Sequence, residues 1–453
     1  MSHFTNINEA IRYIFKTRDA VRDTLHGLDE ATRDITPTRN LLLATHLLDT
    51  PREYVVVTGS KGKGSIVALT ASLLRSLGHK VGMVTSPHLR FWTERIRVNG
   101  QAIPEADFMR ILSELKPLID AEALTLAPNR YISPQGIFLL VALSWFNEQG
   151  ANCAVLEVGR GGRYDDMALV PNKVSLFAPM FIEHAQYLGD SIERIAWHKA
   201  GIIKTGSYVY SLAQEPPALN MLEREAQSKD SEFFWFSSLD IGEFIADTPN
   251  GLLCRIGRYG ECELPLFGRY QIANASLAIQ AAGNMHARLG GIPHASEEYV
   301  QRIKQGLLEV RWHGRLQQMQ TAPTVFLEGA INPLSVDAFV ESVQSRSTRP
   351  IIAVAGVPAD RDMAGAFERL SAHCDHLILT QTTFNPSIKF APPADALAIA
   401  RQFNPTAQYI ASFEEAIAHA KERAGTAGTV WLCVAQPLVG EAMMIWDVDT
   451  HNV

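Results

Sequence analysis

Residues 59–65 read Gly-Ser-Lys-Gly-Lys-Gly-Ser, a composition suited to cradling phosphate. Glycines let backbone N–H groups approach phosphate oxygens, a helix N-terminus favours an anion, and lysine adds mobile positive charge. Gly59, Ser60, Lys61, Gly62, Lys63, Gly64 and Ser65 are therefore candidates for holding a nucleotide. Ser65 follows one residue later than in the plain Gly-Lys-Ser/Thr ending, so the loop is a variant. Further on, Arg90, Arg95 and Arg97 sit with Phe91 and Trp92 directly after Ser86-Pro87-His88-Leu89. Guanidinium groups beside aromatic rings suit an anionic, aromatic ligand, although solvated loop arginines are the plainer alternative.

A phosphate loop needs a strand before it and a helix after it. Tyr54-Val55-Val56-Val57 reads as a buried strand, and Ile66, Leu69, Leu73, Leu74 and Leu77 recur at helical spacing, with Gly78 as the stop. Lys80 to Thr85 gives the next strand and completes a βαβ unit. Pro104 suits the start of a helix, another helix runs from about Gln135 to Glu148, and strands fit Cys153–Val158 and Lys173–Pro179. The stretch from Gly251 to Leu266 is polar and hairpin-like. After Arg315 a second series begins, with strands at Thr324–Leu327, Ile351–Ala355, His376–Thr380, Gln408–Ala411 and Thr429–Val434. Helical patterns at Leu334–Val343 and Phe413–Arg423 lie between them. Alternating strands and helices imply mostly parallel sheets covered on both faces. The expected organisation is an α/β domain over residues 1–315 and a smaller Rossmann-like α/β domain over 316–453, joined near 312–320.

Bulk properties narrow the function classes. A chain of 453 residues exceeds one ordinary core. A formal net charge of −7 argues against a large nucleic-acid footprint. No apolar run approaches the ~20 residues of a membrane span, and the amphipathic, acid-containing start is not a signal-peptide pattern. The five cysteines are odd in number and lack metal-binding spacing. These features are those expected of a reduced, cytoplasmic enzyme, a monomer or weak dimer, with no nucleic-acid or membrane partner.

The loop Gly59–Ser65 resembles the GTNGKGS loop of the Mur-ligase superfamily, in its folylpolyglutamate synthase/dihydrofolate synthase branch. The likeness continues in Ser86-Pro87-His88-Leu89 with Glu94-Arg95-Ile96-Arg97-Val98-Asn99-Gly100, and in Leu156-Glu157-Val158-Gly159-Arg160-Gly161-Gly162-Arg163. It recurs in Glu183-His184, in Lys199-Ala200-Gly201-Ile202-Ile203-Lys204, in Gln271 with Asn274, in Gly314-Arg315-Leu316, in Glu328-Gly329-Ala330 with Asn332-Pro333, and in Leu438-Val439-Gly440-Glu441. One such motif is weak evidence; this many in family order, from about residue 40 to 445, are strong.

The resemblance implies an ATP-dependent, ADP-forming amide ligase of one-carbon metabolism. It joins an amino acid, glutamate in the reference reading, to a folate-like carboxylic acid through an acyl phosphate. It also implies roles. Lys63 contacts the β- and γ-phosphates. Ser65, Ser86 and His184 serve Mg2+, and Lys199, carbamylated by carbon dioxide, holds a second Mg2+. Asn274 contacts adenine, Arg315 clamps phosphate at the junction, and Glu328 contacts ribose or the closing domain. Lys63, His184 and Lys199 are the catalytic set, and His88, Arg90 and Arg95 face the acid.

Four departures stand out. Lys61 replaces the loop asparagine, and Ile331 replaces a histidine of the second domain. Asn385-Pro386-Ser387 replaces an arginine-bearing stretch. A metal-binding glutamate is expected at Gln135 or Gly136, where neither residue is a carboxylate. These leave three other readings open: a specialised ligase for a non-folate acid, a nucleotide-binding regulator that no longer ligates, and a simple kinase.

Overall fold

Buried strands alternating with amphipathic helices have to build sheets covered on both faces, and this chain does so twice. The computed structural model describes residues 4–382 and 388–453, so Asn385-Pro386-Ser387 lies outside the described residues. The first sheet contains β1 (Glu53–Thr58), β2 (Val81–Val84), β3 (Ile96–Val98), β4 (Gln101–Ala102), β5 (Cys153–Glu157), β6 (Val174–Phe177), β7 (Tyr208–Leu212) and β8 (Glu232–Phe236). Its order is β4-β3-β2-β5-β1-β6-β7-β8. Only the β2–β3 and β3–β4 pairs are antiparallel.

β1 lies between β5 and β6, so the chain leaves it at a point where connections diverge to both sides. Ligands of open α/β sheets bind in that crevice. The loop after β1 ends in the helix Lys63–Ser76, whose Ile66, Leu69, Leu73 and Leu74 are fully buried. They pack against the sheet and against the helices Tyr270–Arg288 and Glu297–Glu309.

The polar stretch after Gly251 forms β10 (Gly251–Ile256) and β11 (Gly260–Leu264), joined by β9 (Glu243–Thr248) in a small antiparallel sheet. The second large sheet has β12 (Gln317–Thr321), β13 (Thr324–Glu328), β14 (Ile351–Gly356), β15 (His376–Leu379), β16 (Gln408–Tyr409) and β17 (Thr429–Val434). They run in the order β12-β13-β17-β14-β15-β16, with only β12 antiparallel to its neighbour. The expected α/β class is observed in both units. Strands β3, β4, β7, β8, β9 and β12 add to those legible in the sequence.

The chain passes from the first sheet to the second through residues 310–316, and its last residues come back. Ala102 donates to the His451 carbonyl (2.9 Å), Val453 donates to that of Gly100 (3.0 Å), and Arg97 Nη2 donates to that of Thr450 (2.8 Å). Phe91 stacks on His451. Residues 450–453 therefore lie along the β3–β4 hairpin of the first unit. No helix among the described residues is long and apolar enough to cross a membrane.

Candidate active site

The phosphate loop is shaped by close packing that only small residues allow. Gly62 has φ +88°, a left-handed conformation suited to glycine, and begins the helix Lys63–Ser76. A Cβ on Gly64 would lie 2.9 Å from the Trp312 ring, so the indole of the inter-unit segment rests directly on the loop. Ser60 anchors the other side, donating from its backbone N–H to the Pro179 carbonyl (2.8 Å).

Two lysines converge on one acceptor. Lys63 Nζ donates to the Gly59 carbonyl at 2.9 Å and Lys199 Nζ donates to the same oxygen at 2.8 Å. Lys199 is almost wholly buried, with Glu183 Oε1 3.4 Å away. Burial pushes its ammonium down to about 8, against the pull of Glu183 and with the repulsion of Lys63. Lys199 occupies the last turn of the helix Ile192–Ala200, and Gly201 follows because a Cβ there would strike the Arg163 backbone. This is not an ordinary surface lysine.

His184 takes a left-handed conformation (φ 52°) at the start of the short helix Ala185–Leu188. Burial lowers its pKa, with Glu183 opposing and Arg160, Arg361 and Lys199 adding to the shift. It is held as a neutral imidazole, the form that ligates metals.

A buried carboxylate missing from the expected set stands at the end of β5. Glu157 is buried and accepts the Ser86 backbone N–H at 3.0 Å. Burial raises its pKa, while Lys63, Arg315 and Arg95 pull it down. The acidic position expected at Gln135 or Gly136 carries no carboxylate. Gly136 packs on Thr38 and Asp166, and Gln135 approaches Gly159, so the acid beside Ser86 is Glu157. The signal was present in the sequence, a glutamate closing an otherwise apolar strand.

Ser65 and Asn274 are joined through Gln271. The Gln271 amide donates to Ser65 Oγ (3.4 Å), and Asn274 Nδ2 donates to Gln271 Oε1 (2.9 Å). Asn274 Oδ1 also faces Gly62. Glu328 ends β13, where it accepts Tyr270 Oη (3.2 Å) and the Gly329 N–H (2.6 Å). Arg315 donates to the Gly314 carbonyl (3.0 Å) and lines a cleft with His88, Arg97, Trp312, His313 and Thr450.

The three residues expected to face an acid are differently engaged. The Arg90 guanidinium donates to the Val448 carbonyl (2.5 Å) and lies 3.5 Å from Asp447, so it fastens the returning tail. His88 Nδ1 accepts from Arg95 Nε (3.1 Å), and its ring lies 4.2 Å from that of Trp92. Burial and the Arg95 charge push His88 down to about 3, so it is a neutral acceptor. Arg95 spreads over the Trp92 and Phe138 rings. Beneath them Glu94 organises the loop, accepting the N–H groups of Leu89 (2.8 Å), Arg90 (2.9 Å) and Phe91 (2.7 Å) and the Thr450 hydroxyl (2.7 Å).

Comparison with known proteins gives the same picture from another direction. The pattern of the Mur ligase middle domain matches residues 57–282, and that of the Mur ligase glutamate ligase domain matches residues 314–436. The chain is 30% identical to the folylpolyglutamate synthase of Lacticaseibacillus casei over 348 residues, covering 74% of this chain and 78% of that protein. It is 31% identical to the dihydrofolate synthase/folylpolyglutamate synthase of Bacillus subtilis over 336 residues, covering 71% and 75%. The ADP complex of Mycobacterium tuberculosis folylpolyglutamate synthase superposes with a TM-score of 0.83 at 23% identity, over 97% of this chain and 99% of that one.

Proposed function

Because the chain belongs to the Mur ligase family, in its folylpolyglutamate and dihydrofolate synthase branch, we propose that it is an ATP-dependent ligase adding glutamate to a folate-type carboxylic acid. The observation that carries this reading is the convergence of Lys63 and Lys199 on the Gly59 carbonyl, with Glu157 against Ser86. Cations gathered on a glycine loop stabilise a migrating phosphoryl group.

A carboxylate cannot condense with an amine at neutral pH without a leaving group. Its oxygen attacks the γ-phosphorus of ATP, the bond to the β-phosphate oxygen breaks, and ADP departs. The amine then attacks the acyl carbon, phosphate leaves, and the amine gives up a proton. Lys63 stabilises charge on the transferring phosphoryl group, the Gly62–Ser65 backbone cradles the other phosphates, and Arg315 faces them from the junction. Asn274 serves the adenine and Glu328 the ribose or the closing unit, in a division of labour at 1–315 and 316–453. Closure excludes water from the hydrolysable acyl phosphate.

The residues fit Mg2+. Among the described residues no three His, Cys, Asp or Glu side chains form a ready metal cage, as suits an ion that keeps waters and phosphate oxygens as most of its ligands. Ser65, Ser86, Glu157 and His184 would hold one ion, and carbamylated Lys199 a second. Mg2+ supplies neutralisation of phosphate charge when bound.

A second reading, a non-folate acid, rests on the departures at Lys61, at Gln135 or Gly136, and at Ile331, which change charge and hydrogen bonding around the reacting groups. A matrix of carboxylic acids against amino acids, read by phosphate release, separates the two. Release with dihydropteroate or folates plus glutamate supports the first reading, and release only with other acids supports the second.

A further inference from the structure

Three ammonium groups surround the phosphate loop, and one behaves differently. Lys63 and Lys199 both fold onto the Gly59 carbonyl of the loop itself. Lys61 reaches out of the loop, crosses between the units and donates to the Gly329 carbonyl at 3.3 Å. Gly329 follows the last residue of β13, on the wall that carries Glu328.

That carbonyl is a placed acceptor. The Glu328 carboxylate accepts the Gly329 N–H (2.6 Å) and Tyr270 Oη (3.2 Å) from the first unit's helix. On the other side, Ser335 Oγ accepts the N–H groups of Ile331 and Asn332, each at 3.1 Å. The strand-to-helix turn is thus tied at both ends, and the Gly329 carbonyl is left for Lys61.

The charges around Lys61 leave it short of a full counter-charge. Glu328 and Glu183 attract its ammonium while Arg315 and Lys63 repel it, and nearby protein displaces water although the side chain is exposed. An ammonium has three donors on a flexible stem. One is used by Gly329, and the rest can meet a phosphate oxygen without releasing it.

We propose that Lys61 is a positioning residue that couples nucleotide occupancy to closure of the second unit, holding the Gly329 carbonyl and a terminal phosphate oxygen of ATP at the same time. The wall bearing Glu328 and Ile331 is thereby held against the phosphates once ATP binds, so the cleft is closed to water before the phosphoryl group moves to the acid. The proposal rests on reading the cleft as an ATP site and on nothing about the acid.

The test uses the full chain and the non-hydrolysable analogue AMPPCP with Mg2+ and no acid, so an incorrect acid leaves it intact. The native cysteines are all buried, so Glu223→Cys and Glu414→Cys, at exposed sites on the two units, take spin labels for distance measurement. The label distance in the parent shortens and narrows when AMPPCP binds. In Lys61→Ala, AMPPCP binds within about threefold of the parent because the backbone cradle and Lys63 remain, yet the distance stays broad. Under turnover kcat falls about 10- to 100-fold, the scale of mispositioned reactants, with the KM for ATP nearly unchanged. Lys61→Arg, which keeps a multidentate cation, restores most of the closure. Normal closure in Lys61→Ala overturns the proposal, whether AMPPCP affinity drops, which makes Lys61 a phosphate ligand only, or stays, which makes it a solvated lysine. Failure of the parent to bind AMPPCP overturns the ATP-site reading itself.

Discussion

Lys63 and Lys199, 136 positions apart in the chain, donate to a single oxygen, the Gly59 carbonyl, at 2.9 and 2.8 Å. Two ammonium groups on one carbonyl repel each other, and Glu183 beside Lys199 offsets only part of that repulsion. A bound polyphosphate would offer Lys63 a stronger acceptor than the carbonyl it shares. Lys63→Ala is expected to lower kcat about 100-fold or more, the scale of losing a charge-stabilising donor. The nucleotide product, separated by chromatography, is ADP; AMP and pyrophosphate formed with the amide would rule out the acyl-phosphate route.

The Lys199 ammonium binds its proton less tightly in the folded protein, with a pKa of about 8, than in an unfolded chain at about 10.4. Between those values the unfolded state binds more protons, so Lys199 makes stability rise as pH climbs from about 8 to about 10. Below 8 its cost is fully present. Lys199→Met in EDTA is expected to raise the Tm at pH 7 and to remove that rise, while abolishing ligation. Crystals grown with bicarbonate at pH 8 should carry carboxylate density on the Lys199 nitrogen, since the neutral amine is the form that takes up carbon dioxide. A bare Lys199 beside ordered nucleotide and Mg2+ counts against carbamylation.

Glu157 accepts the backbone N–H of Ser86, a residue expected to serve Mg2+. Glu157→Gln keeps an acceptor for Ser86 and removes the charge. The expected result is an unchanged Tm, a Mg2+ requirement raised about tenfold or more, and a large fall in kcat. A Mg2+ titration of phosphate release checks it. An unmoved titration curve would return Glu157 to a purely structural role.

Glu94 accepts three backbone N–H groups and the Thr450 hydroxyl from a buried position. Glu94→Ala leaves those four donors without their acceptor and removes the carboxylate that lies 4.0 Å from Arg97, and is expected to cost about 3 kcal/mol or more in urea unfolding. Glu94→Gln retains part of the acceptor capacity and should fall between the two.

Much of this was legible in the sequence. β1, the loop and the helix Lys63–Ser76 could be read because four apolar residues, three spaced glycines and a helical apolar stripe agree locally. The strands that escaped notice are short, like β4, or carry exposed faces, like β8. Glu157 escaped because a lone glutamate in an apolar strand resembles a strand end, and its significance lies in the Ser86 amide 71 positions earlier. The tail contacts of Arg90 and Arg97 were hidden for a related reason. Their carbonyl partners at Val448 and Thr450 lie some 350 positions away, and no periodicity reports such a contact. The bridge from Lys61 to Gly329 is of the same kind.

The returning tail has a mechanical consequence. Residues 310–316 and 447–453 both span the units, and Trp312, His313, Thr450 and Val453 from the two spans line one cleft with His88 and Arg315. Two body segments joined at neighbouring points swing like a door on a pair of pins: they turn about the line through both and resist twisting and sliding. A turn about that line would leave the rim holding His88 and Arg315, which line the same cleft, close to the axis. A protease that nicked either span would leave the door hung on the other pin, still turning, with its travel no longer guided.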